Sequence, residues 1–139
     1  MYCSSDVKPP YKVTKTLTFS NDAAGALTIL TVTGDVLVRV KPICKTLVAS
    51  AAGANMELGI SADTNGIIAS TLASALVANE IWIDTSPDSL IEPESTSRDY
   101  IISNSDDVIL TIDAQVDSGV VAFYCEWEPL SAGATVVAG

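Results

Sequence analysis

Along this 139-residue chain apolar side chains recur mostly at every second position, the spacing of half-buried β-strands. From residue 11, Tyr11, Val13, Lys15, Leu17 and Phe19 fall on one side, and Lys12, Thr14, Thr16 and Thr18 on the other. Turn chemistry fills Ser20 to Gly25, and LTILTVT (27–33) reads as a second strand. Gly34-Asp35 then joins two β-branched runs, which predicts a hairpin with VLVRVK (36–41). Pro42 has no N–H to give to a ladder, so this run is expected at a sheet edge or to end there. ICKTLVAS (43–50) and MELGIS (56–61) read as strands on either side of a turn.

The segment 63–80 mixes β-branched residues with an Ala-rich stretch, and it predicts a strand followed by one helical turn within 71–79. EIWID (80–84) and Tyr100–Ser103 are short strands, and VILTIDA (108–114) is expected to pair through Gln115–Gly119 with VVAFYCEWEPL (120–130). In that last strand Val121, Phe123, Cys125 and Trp127 share one face, while Tyr124, Glu126 and Glu128 share the other. Eight or more short strands without βα alternation predict an all-β fold, an antiparallel β-sandwich or jelly-roll-like barrel, over residues 11–130. The Pro9-Pro10 pair marks residues 1–10 as an N-terminal arm, and 131–139 is a C-terminal extension, either a strand or a mobile tail. Val38, Val40, Val48, Ile60, Ile81, Ile102, Leu110, Ile112, Phe123 and Cys125 are the expected core.

Composition adds that the chain can bury a self-sufficient core with few aromatic residues, since 48% of it is apolar and only 6% aromatic. Charge adds a polarity along the sequence. Residues 1–45 carry six bases against three acids, whereas residues 46–139 carry one base against fourteen acids. The acidic part repels phosphates, so no nucleic-acid partner is expected, and the basic part is drawn to acidic groups. No apolar run is long enough to span a bilayer, and no membrane partner is expected. An odd count of three cysteines, two of them inside strand-like runs, favours reduced buried thiols over a Cys44–Cys125 disulfide, and hence a reducing cytoplasm.

Histidine is absent, which removes Ser-His-Asp and Cys-His catalysis and His-ligated zinc. Phosphate-cradling glycine motifs are absent too, so no cofactor is expected. Paired carboxylates remain the one catalytic option, with Asp84 and Asp88, Glu92 and Glu94, or Asp106 and Asp107 as candidates for acid–base work on a glycosidic bond. All six lie in or beside Ser-, Pro- and Asn-rich turns, where acids cap backbone and keep a surface soluble, and the non-enzymatic reading is preferred. Trp82 and Trp127 are the candidate stacking platforms for a sugar or a partner.

VTKTLTFSNDAAGALTILTVTGDVLVRVKPIC (13–44), LGISADTNGIIAS (58–70), NEIWIDTSPDSLIEP (79–93) and VAFYCEWEPLSAGATVVAG (121–139) together resemble small structural proteins of tailed-bacteriophage virions. The resemblance implies a capsid decoration or cement protein, bound to the major capsid protein on the outer surface of the head, often as a homotrimer. The arm MYCSSDVKPPY lies outside the resemblance. Its basic and aromatic residues suit a segment that orders on docking, and Tyr2, Lys8, Tyr11, Lys12 and Lys15 are the expected partner-binding residues. The alternative is a receptor- or glycan-binding module of a phage tail or head fibre, which an exposed Trp82 or Trp127 would favour and a buried one would disfavour.

Overall fold

The computed structural model describes residues 11–93 and 99–139. Eleven strands follow in order: β1 (Tyr11–Asp22), β2 (Gly25–Thr33), β3 (Val36–Ala49), β4 (Asn55–Ile60), β5 (Asp63–Leu72), β6 (Glu80–Ile81), β7 (Asp88–Ser89), β8 (Tyr100–Ile102), β9 (Val108–Ile112), β10 (Val116–Pro129) and β11 (Thr135–Ala138). A single 3-10 turn, Ala73–Ala75, stands between β5 and β6, where the Ala-rich stretch predicts a helical turn. Two antiparallel sheets result. Sheet A runs β1-β10-β3-β6-β7, with β8 also on β3, and sheet B runs β11-β2-β9-β4-β5. The expected antiparallel sandwich is present, but the sheets do not close on each other, so the barrel form of that expectation is not adopted.

Successive strands seldom pair with each other. The chain changes sheet between β1 and β2, β2 and β3, and β3 and β4, and again between β9, β10 and β11. Two expected hairpins are therefore corrected. β2 pairs with β9 and β11 rather than with β3, and β9 pairs with β2 and β4 rather than with β10. At Gly34-Asp35 the reason is visible in the partners of the connecting backbone. Gly34 N–H donates to Ser105 Oγ (2.7 Å), Asp35 N–H donates to Ser131 Oγ (3.0 Å), and Leu130 N–H donates to the Asp35 carbonyl (2.9 Å). Loops from elsewhere thus hold the connecting residues, whose polar groups a hairpin tip would have left to water. Gly34 sits at φ +76°, and a Cβ there would lie 2.8 Å from Ser131 Oγ, so the crossover needs a glycine.

Pro42 also departs from expectation. It lies within β3, a 14-residue strand at the centre of sheet A. Its carbonyl accepts Trp82 N–H (2.9 Å), so its own missing N–H points away from β10 toward the side where only short β6 and β8 pair. The long β3–β10 ladder loses nothing by it.

The core lies between the sheets and is built from Val, Ile, Leu and a few aromatics, including Phe19, Ile29, Leu30, Met56, Leu58 and Phe123. Of the expected core, Val38, Val40, Val48, Ile102, Leu110, Ile112, Phe123 and Cys125 are buried, whereas Ile60 and Ile81 are only partly so. In EIWID the inward phase belongs to Trp82, which is fully buried and donates Nε1–H to Thr71 Oγ1 (2.9 Å). β11 hydrogen-bonds to β2 along Thr135–Ala138, placing part of the C-terminal extension in sheet B.

Candidate functional site

The alternation of β1, β3 and β10 sorts their side chains into an inner and an outer face, and the register lines the outer ones up in rows. Lys12 lies opposite Glu126, and Glu126 opposite Arg39; Thr14 lies opposite Tyr124, and Tyr124 opposite Lys41. Lys45, also outward on β3, holds its Nζ 5.4 Å from the centroid of the Tyr124 ring, close enough for a cation–π contact. Four of the five described bases thus share the outer face of sheet A, around a tyrosine that is 39% exposed. Two of them are engaged within the chain: Arg39 Nε donates to Asp99 Oδ1 (2.6 Å), and Lys41 Nζ lies 3.7 Å from Glu126 Oε1. The basic N-terminal third of the sequence has become one surface of an otherwise acidic molecule. The signal was in the sequence, in the outward phase of Arg39, Lys41 and Tyr124, but which strands stand side by side is a matter of sheet order.

Tyr11, Lys12 and Lys15 all lie on β1 but do not converge. Tyr11 stacks on Trp127, its register partner, with ring centroids 4.6 Å apart and planes at 25°. The pair covers one end of the core, leaving Tyr11 41% exposed and Trp127 partly buried. Lys12 is exposed on the outer face. Lys15 takes an inner-face position on this edge strand, and its Nζ donates to the Gly139 carbonyl (2.6 Å). That bond links the exposed edges of the two sheets, and an inward lysine on an edge also discourages pairing with a stray strand. Tyr2 and Lys8 lie outside the described residues.

Three of the candidate acids accept hydrogen bonds from nearby or crossing segments. Asp84 Oδ1 accepts Ser86 N–H (2.8 Å), Asp107 Oδ1 accepts Val32 N–H (2.9 Å), and Asp106 Oδ1 accepts the Ser61 hydroxyl (2.7 Å). The Ser61 hydroxyl holds the Asp106 carboxyl below its ordinary value, with backbone N–H groups acting in the same direction. Asp113 is lowered first by the Asn55 side chain, and Asp117 by the Ala51 N–H. Glu92 moves the other way, raised by a hydrogen bond with the Asp88 carboxyl, then by burial and the neighbouring negative charges. Glu94 lies outside the described residues. Among the described residues, no three His, Cys, Asp or Glu side chains are grouped to hold a metal ion.

Cys44 and Cys125 are free and buried. Cys44 lies opposite Val121 and Cys125 opposite Val40, so the two are four register positions apart on neighbouring strands. That separation is roughly 14 Å, twice what a disulfide can bridge. Burial raises both thiols, Cys125 to about 12, which keeps them protonated and unreactive at neutral pH. The concavity between Lys12, Thr14, Lys41, Tyr124 and Glu126 measures about 180 Å³. Small-molecule sites usually start at roughly 300 Å³, so this surface suits contact with another macromolecule better than capture of a ligand.

No family model matches the chain, and no curated protein sequence matches it. A chain in the acidic stable capsid structure of Helicobacter pylori bacteriophage KHP30 shares the fold. It superposes with a TM-score of 0.50 at 12% identity, over 95% of this chain and 95% of that one. The two chains are therefore of similar size and match nearly end to end.

Proposed function

We propose that this chain is a structural protein of a bacteriophage virion, a decoration or cement protein that binds the major capsid protein on the outer surface of the head and acts there as a homotrimer. The observation that carries the reading is the end-to-end likeness in fold to a chain of a phage capsid structure. The interleaved order β1-β10-β3-β6 facing β2-β9-β4-β5 supports it, because double-sheet jelly rolls wired in this way recur in viral capsid domains. Acidic character suits a protein facing solvent outside a DNA-filled shell, and buried reduced thiols suit assembly in a bacterial cytoplasm. Asp84, Asp106 and Asp107 are engaged by Ser86, Ser61 and Val32, which favours a structural over a catalytic role for those three.

In this reading the arm at residues 1–10, with Tyr2 and Lys8, together with Tyr11 and Lys12 at its root, docks on the capsid. Lys15 contributes by fixing β1 to the end of the chain. The fibre-module alternative loses one platform, since Trp82 is fully buried, while Trp127 is partly buried with one face stacked on Tyr11. The test is to mix the purified protein with heads assembled without it and measure co-sedimentation. Saturable binding that is lost when residues 1–10 are deleted is expected. Heads that take up none of the full-length protein would refute the reading.

A further inference from the structure

The two most exposed large apolar side chains among the described residues are neighbours, Leu90 at 79% and Ile91 at 81%. They are not on a loose loop end. Leu90 N–H donates to the Asn79 carbonyl (3.1 Å), and Asn79 N–H donates to the Cys44 carbonyl of β3 (2.9 Å), so the tip is tied to the central strand of sheet A. Ile91 N–H donates back to the Ser89 carbonyl (2.8 Å), closing a three-residue γ-turn with Leu90 at φ +69°. A leucine adopts that conformation only under strain, and its side chain gains no burial in return. Asp88 and Glu92 flank the tip in sequence with their carboxyls hydrogen-bonded to each other, and Asp84 lies near enough to act on Glu92 electrostatically. The result is a rigid apolar knob with an acidic collar.

The complementary surface is on the same chain. Lys41 and Lys45 flank the half-exposed Tyr124 on the outer face of β3 and β10, beside a shallow concavity. The knob follows β7, two strands from β3 in the same sheet, yet Leu90 and Ile91 stay almost fully exposed, so their own molecule's basic face does not cover them. We infer that the Leu90–Ile91 knob of one copy docks against the Lys41–Tyr124–Lys45 surface of a second copy, apolar tip on the aromatic ring and acidic collar against the lysines. Such a contact joins two different surfaces and therefore builds head to tail, which closes into a ring when the rotation allows. This extends the trimer proposed above by naming the surfaces that make it.

Sedimentation velocity of the full chain over a micromolar concentration series tests this directly. The wild type is expected to associate, and Leu90→Asn/Ile91→Asn to weaken that association by roughly 100-fold, about tenfold for each aliphatic side chain no longer buried. Charge reversal distinguishes the contact from a general loss of hydrophobicity. Lys45→Glu and Asp88→Lys should each weaken association, and the chain carrying both should recover it, because every interface then pairs the reversed charges. Far-ultraviolet circular dichroism and melting of dilute samples check that each variant is folded; one that is not is replaced by Ile91→Asn alone, which leaves the turn in place. A wild type that stays monomeric contradicts the trimer as well as the knob. A wild type that associates while the knob variants do so equally well, or a double reversal that fails to recover association, overturns the knob alone. Neither result bears on head binding, which the co-sedimentation measurement reads separately.

Discussion

The buried pair Trp82–Thr71 offers a sharp test of whether the tryptophan belongs to the core or to a binding surface. Trp82 has no exposed surface, and its Nε1–H donates to Thr71 Oγ1 at 2.9 Å, while the Thr71 hydroxyl donates in turn to the Ala69 carbonyl (2.9 Å). Thr71→Val keeps the side-chain shape and removes the acceptor, stranding an indole N–H in the core. That desolvation costs about 1–3 kcal/mol. In a Trp82→Phe background there is no indole donor to strand, and Ala69 is exposed, so its carbonyl turns to water; Thr71→Val should then cost close to nothing. A double-mutant cycle of urea denaturation at neutral pH therefore predicts a coupling of about 1–3 kcal/mol, equivalent to about 3–4 °C of melting temperature per kcal/mol at this chain length. Equal costs of Thr71→Val in both backgrounds would mean that the hydrogen bond is not formed, and the structural role assigned to Trp82 would fall.

Other perturbations address the rest of the molecule. Phe123→Ala in the fully buried centre of β10 should cost about 3–5 kcal/mol by chemical denaturation. Asp106, Asp113 and Asp117 all have lowered values, so the stability they supply is fully present above their ordinary value of 3.8 and is lost as pH falls through their lowered ones. Glu92, raised, acts in the opposite sense. Melting temperatures followed from pH 5 to pH 2 should therefore fall, and Asp106→Asn should flatten that fall; a profile unchanged by the substitution would count against the cap. With Cys3 replaced by Ser, the folded protein should show no reaction with a small disulfide reagent at pH 8, and the unfolded protein should release two thiols. Prompt reaction in the folded state would contradict the burial of Cys44 and Cys125.

Much of the strand pattern was legible because a half-buried strand writes its inner face at every second residue. The inward set Val121, Phe123, Cys125 and the outward Tyr124 are as the alternation predicts. Pairing was not legible. A two-residue connection such as Gly34-Asp35 looks the same whether the chain turns back in one sheet or crosses to the other, and here the deciding groups, Ser105 and Ser131, lie some 70 and 96 residues downstream. Short strands resist phasing for a related reason. In EIWID, apolar residues occupy three successive positions, and only packing against Thr71 makes Trp82 the inward one. The basic face was half legible: the charges were conspicuous, but their gathering around Tyr124 depends on β10 lying between β1 and β3, which no local pattern encodes. The exposed Leu90–Ile91 tip resembles a strand end in sequence and becomes a knob only through its positive φ.

The proposal that this chain is a component of a phage head is tested most directly by three-dimensional imaging of purified phage particles that contain it. Density for a two-sheet sandwich is expected at repeated positions on the outer surface of the head, with neighbouring copies in contact and a segment running from the start of β1 onto the capsid. Particles whose heads carry no such density, or which place the sandwich at the tip of a tail fibre, would contradict it.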